Sequence, residues 1–73
     1  MAEPTPPTDV RLRYPDGRMV PVQCVYEGPD DDGIQVWRMV FPRTIGQALV
    51  AGELSITVAT LPARTRLAFP LED

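Results

Sequence analysis

Between Glu27 and Phe41 the chain reads EGPDDDGIQVWRMVF, and this stretch limits the available folds more than any other. An acidic turn, Pro29-Asp30-Asp31-Asp32-Gly33, separates two runs dense in Val, Ile, Tyr, Trp and Phe. Two such runs joined by a short glycine-containing loop predict a β-hairpin. The second run, Ile34 to Phe41, is apolar on both alternating faces. Ile34, Val36 and Val40 lie with Arg38 on one side; Trp37, Met39 and Phe41 lie with Gln35 on the other. Burying Arg38 without a partner is costly. Either a bulge near Trp37 switches the phase, or both faces are largely covered.

The flanking segments carry clearer punctuation. Met1 to Thr8 holds Pro4, Pro6 and Pro7 and almost nothing that could be buried, so residues 1–8 are expected to form a disordered tail. Val10, Leu12 and Tyr14 alternate with Arg11 and Arg13, the period of a half-buried strand. Tyr14-Pro15-Asp16-Gly17 then places proline second and glycine fourth, the chemistry of a type I turn closed by a left-handed glycine. A second strand runs from Met19 to Glu27. Pro21 cannot donate to a ladder, so its nitrogen is expected to face away from the neighbouring strand. That strand would pair first with strand one and later with strand three, bending between them. Cys24 falls in its inward phase, as a structural thiol.

Pro42 ends the third strand. Thr44-Ile45-Gly46-Gln47 matches a capping box, Ile45, Ala48 and Leu49 share a helix face, and Gly52 is placed for a left-handed cap. These predict a short helix near 45–51. Leu54, Ile56 and Val58 alternate inward, then a turn over Leu61-Pro62-Ala63-Arg64 leads to Thr65, Leu67, Phe69 and Leu71. The fold class is therefore mainly β with some α: a five-stranded antiparallel sheet or partly open barrel, in the order βββαββ. Residues 9–73 make one small domain.

Composition narrows the functional classes. A chain of 73 residues holds one small core, which on its own rarely supplies more than ~3–5 kcal/mol. Cys24 is the sole cysteine and there is no histidine, so an intramolecular disulfide is impossible and a metal-ligand cluster is not expected. Of the usual staples, oligomerisation remains. With no His, no Lys, one Cys and one Ser, the usual nucleophile-and-base pairs are missing, and the expectation is a non-enzymatic protein without a cofactor. The three consecutive aspartates lack the alternating ligands and distal glutamate of a calcium loop, and read as a solvated turn. The net charge of −3 argues against bulk attraction to nucleic acid or membrane. No apolar run approaches a membrane span and no signal peptide is evident, which suggests a cytoplasmic setting.

Two sets of side chains are candidate contact residues. Trp37, Met39 and Phe41 are of the types enriched at interface cores, which points to a protein-interaction module that self-associates, as in a homodimer, or docks on a larger partner. Arg11, Arg13, Arg38, Arg64 and Arg66 all fall on or beside strands opposite an apolar phase, while the acids gather in turns and termini. That basic face would suit phosphate, giving the alternative of a small nucleic-acid-binding barrel. A small inhibitor of a cellular enzyme is a third possibility.

Overall fold

The computed structural model describes residues 4–70. Its strands are β1 (Arg11–Arg13), β2 (Met19–Pro21), β3 (Gln23–Pro29), β4 (Gln35–Val40), β5 (Ser55–Thr57) and β6 (Thr65–Ala68), with one helix, α1 (Arg43–Val50), between β4 and β5. They form two three-stranded sheets, β2-β1-β5 and β3-β4-β6, and do not close into a barrel. The expected single sheet of five strands is thus corrected to two sheets of three. Its physical origin is the expected bend. One residue, Val22, interrupts the second strand, so its first half pairs with β1 and its second half with β4.

The first hairpin forms as its turn chemistry dictates. Tyr14 O accepts from Gly17 N at 2.9 Å, and Tyr14 N donates to Arg18 O at 2.9 Å. Gly17 sits at φ 89°, a conformation glycine adopts without a steric penalty. Asp16 Oδ1 accepts from Arg18 N at 2.9 Å and holds the turn from outside. Leu12, in the middle of the central strand, is faced by Val20 of β2 and Ile56 of β5. It is 4% exposed. Thr8, placed by composition in a loose tail, continues this pairing: its amide donates to Thr60 O at 3.0 Å and its carbonyl accepts from Ala59 N at 3.1 Å.

In the second sheet β4 is central, antiparallel to β3 and parallel to β6. The parallel pair departs from the all-antiparallel expectation. Parallel neighbours need a long crossover, and the chain supplies one through α1 and β5 before returning beside β4. The β3–β4 register slips between Tyr26 and Gly28, leaving Glu27 as the extra residue of a bulge. Of the two readings of the ambiguous strand, the one with both faces partly covered is realised; the bulge sits on the partner strand and does not switch the phase of β4. The bulge lies opposite Trp37, on the partner strand, and β4 buries one side chain on each face, Val36 and Met39.

The helix begins earlier than the capping box implied. Pro42 occupies the N-cap with no side-chain cap bond, its carbonyl accepting from Ile45 N at 3.0 Å. Pro42 is extended, with φ −63° and ψ 156°, as an N-cap residue is, so the helix begins at Arg43 and Thr44 falls inside the first turn. The C-terminus ends as expected. Gly52, at φ 80°, donates to Leu49 O while Glu53 N reaches Ala48 O, the paired bonds of a Schellman motif.

Candidate protein-interaction site

The acidic turn is a built structure whose carboxylates are partly consumed by its own backbone. Asp30 Oδ1 accepts from Asp32 N at 2.8 Å and from Ile34 N at 2.9 Å. The Ile34 amide is the main reason the Asp30 carboxyl lies below its ordinary range; the Asp32 amide and the Arg66 and Arg64 charges act the same way, while partial desolvation opposes them. Arg64 Nη2 donates to Asp32 O at 3.0 Å and its own carbonyl accepts from Gln35 N at 2.8 Å. Arg66 Nη2 stands 3.8 Å from Asp30 Oδ2. The entry to β6 is thereby fastened to the turn between β3 and β4.

These bonds decide what the five arginines can offer. Arg11 lies 3.4 Å from Asp9, on the first sheet. Arg13, on the same strand, is exposed and borders a shallow groove of about 340 Å³ shared with Tyr14 and Glu53. Arg38, Arg64 and Arg66 belong to the second sheet and its turn, where each meets an acid or a carbonyl. Arg38 is half-buried, with Nε enclosed at 3.3 Å from Glu27 Oε1, near enough for an ion pair but misaligned for a hydrogen bond. The sequence-predicted basic face is thus divided between two sheets and interleaved with carboxylates.

The aromatic set is divided by depth. Met39 is 2% exposed, fully inside the chain. Trp37 is half-buried beneath Tyr26, their ring centroids 5.1 Å apart, and its Nε1–H is enclosed with no acceptor among the described residues. Phe41 is half-buried and meets Phe69 edge to face at 6.0 Å. Gly46 of α1 comes close to the Phe41 ring, leaving a distance of 3.5 Å for an added methyl.

Exposed apolar side chains are spread over the chain, at Met19, Val50, Leu61 and Phe69 among others, and three of them lie beside these residues, on positions the sequence pattern did not single out. Val25 is 36% exposed, Tyr26 37% and Val40 42%, all on the β3–β4 pair. Val25 faces Arg38 and Gln23 faces Val40, so Val25 and Val40 share one face with the Glu27–Arg38 pair and the buried Val36. Tyr26 lies on the other face with Trp37, its hydroxyl donating to Gln35 Oε1. Cys24, next to both, is half-buried, and burial pushes its thiol upward, away from the reactive thiolate. Pro21 and Gly28 bracket this segment in the sequence, and that bracketing was the available signal: a short unhindered strand between two breakers.

Neither α1 nor any other helix among the described residues is long and apolar enough to cross a membrane. No protein-family model, no curated protein and no solved structure matches this chain.

Proposed function

We propose that this chain is a non-catalytic protein-interaction module that binds through the β3–β4 half of its second sheet. One observation carries the reading. The β3–β4 pair presents Val25 and Val40 to solvent on one face and Tyr26 on the other, while only Val10, Leu12, Val36 and Met39 are buried among the described residues. Exposed apolar clusters rimmed by charge mark interaction sites, and Glu27, Arg38 and Arg66 supply that rim here. On the opposite face Trp37 packs against Tyr26 and adds an aromatic anchor there.

The nucleic-acid alternative has less support, because four of its five arginines already have an acid or a carbonyl within reach. Inhibition of a cellular enzyme is one form that docking through this surface could take. The test is capture from lysate on the immobilised chain, with and without nuclease, compared with a Val25→Arg variant whose circular dichroism is unchanged. The expected result is a protein retained after nuclease treatment and at about 200 mM salt, where phosphate contacts weaken steeply, and lost on Val25→Arg. Retention that disappears with nuclease or salt, or that ignores Val25→Arg, refutes the reading.

A further inference from the structure

Backbone alternation determines which groups β3 leaves open. Tyr14 N donates to Arg18 O and Val22 N donates to Val10 O, so residues 18, 20 and 22 turn their polar groups towards β1. On β4, Gln35 N donates to Arg64 O on the β6 side. Val36, Arg38 and Val40 therefore turn the other way, where they meet Gly28, Val25 and Gln23. The amides and carbonyls of Cys24 and Tyr26 are left facing outward, on the edge that β1 covers only as far as Val22. Past Val10 the chain kinks at Asp9, φ 52°, and Thr8 stays with Thr60 and Ala59. Nothing among the described residues bonds to that edge of β3.

The other three edges are blunted. β2 and β5 are three residues long, and β2 ends in Pro21. β6 has four residues and carries Arg66 at its centre, with Arg64 immediately before it. Short strands, prolines and charges are the usual devices that stop a sheet from recruiting another strand. β3, with seven residues, is the longest strand, and from Gln23 to Tyr26 it has none of these devices. Its bulge and Glu27 protect only the far half.

We propose that two copies of this chain associate through the free edges of β3, antiparallel and centred on Val25, to make a six-stranded sheet. This deepens the interaction reading above and rests on it. The register follows from the free groups. Pairing Cys24 with Tyr26 of the second copy, and the reverse, uses the outward amides and carbonyls of these two residues on both strands. It places the two Val25 side chains against each other across the axis, in the close non-bonded position of an antiparallel pair. Glu27 then falls opposite Gln23, so no like charges meet. A centre on Cys24 instead would match Tyr26 with Val22, whose amide is already given to Val10. The second copy is favoured over an unrelated strand because this edge is complementary to itself in hydrogen bonding and brings no like charges together.

Sedimentation of the full chain at tens of micromolar tests this. The expected species is a dimer. Val25→Arg, which brings two guanidinium groups face to face, raises its dissociation constant by about 100-fold. Val50→Arg adds the same charge at a remote exposed site and leaves the dimer intact. Val25→Cys in a Cys24→Ser background forms a covalent dimer under mild oxidation, because only facing residues bring their Cβ atoms within disulfide reach. A monomeric native chain overturns the proposal, as does a dimer indifferent to Val25→Arg or a Val25→Cys variant that stays uncoupled. A monomer whose lysate capture still depends on Val25 overturns the second copy alone. Capture and association that both ignore Val25→Arg overturn the surface as well.

Discussion

The same substitution, glycine to alanine, is expected to act with opposite signs at two positions of this chain. At Gly17 the backbone is left-handed, φ +89°, and an added Cβ would meet nothing within 4 Å. The whole effect is then conformational. A left-handed alanine costs roughly 1–2 kcal/mol, and the stiffer unfolded chain returns about 0.4–1 kcal/mol. Gly17→Ala should destabilise by a net ~1 kcal/mol. Gly46 lies within α1, and its added Cβ would touch Phe41 Cε1 at 3.5 Å, an ordinary van der Waals contact. Gly46→Ala should stabilise by about 0.8–1 kcal/mol, the difference in helix propensity. Against a total near ~3–5 kcal/mol these are large changes. In a domain of this size each moves the melting midpoint by roughly 4–8 °C, one downward and one upward. Urea titration followed by circular dichroism, at one fixed protein concentration so that association does not intrude, measures both. Shifts in the same direction, or a neutral Gly17→Ala, would refute the left-handed turn as the origin of the first hairpin.

Two further outcomes follow from the acidic turn and the bulge. Asp30 has a folded pKa held below its unfolded value, chiefly by the Ile34 amide, so its contribution is complete above the unfolded value and is lost as pH falls through the folded one. The urea midpoint of the native chain should therefore drop on acidification below about pH 4, and Asp30→Asn should flatten that part of the pH profile. Glu27→Ala strands the half-buried Arg38, whereas Arg38→Met removes the charge and keeps its apolar length. Glu27→Ala should be the more destabilising of the two, each effect being under about 1 kcal/mol for a partly exposed pair; the reverse order in thermal melts would show that the pair itself stabilises the fold.

Local chemistry was legible in the sequence wherever a single residue determines the backbone. Gly17 and Gly52 adopt the left-handed conformations their positions required, and the bend in the second strand falls at Val22, beside Pro21. Where two local signals competed, the stronger steric one won: Pro42 started the helix and left the Thr44–Gln47 pattern without its cap. What could not be read was long-range. The pairing of β6 with β4 in parallel depends on where a crossover through α1 and β5 delivers the chain, and alternation within Thr65 to Ala68 is the same for either direction. The candidate contact residues failed to stay together for a related reason. Met39 is central in the sheet and is enclosed, while Val25 lies on an edge strand. Edge or centre is a property of strand order, and strand order is absent from a local pattern.

The bend that splits the sheet also explains why one half of the shared strand is closed to further pairing and the other is open. A strand that turns one set of alternate residues towards β1 and the other set towards β4 leaves a free edge along each half. On β2 the outward residues are Met19 and Pro21, on the side opposite the bonds that Arg18 and Val22 share with β1. Proline has no amide hydrogen, so that edge lacks a donor just where a neighbour would need it. On β3 the outward residues are Cys24 and Tyr26, and both keep donor and acceptor. Moving the missing amide from one half to the other exchanges their roles. The double variant Pro21→Val with Tyr26→Pro should therefore transfer strand recruitment to β2, if backbone groups rather than side-chain apolarity govern association. With Val25 and Val40 unchanged and exposed, persistence of the proposed dimer in that variant would assign the affinity to side-chain contact instead.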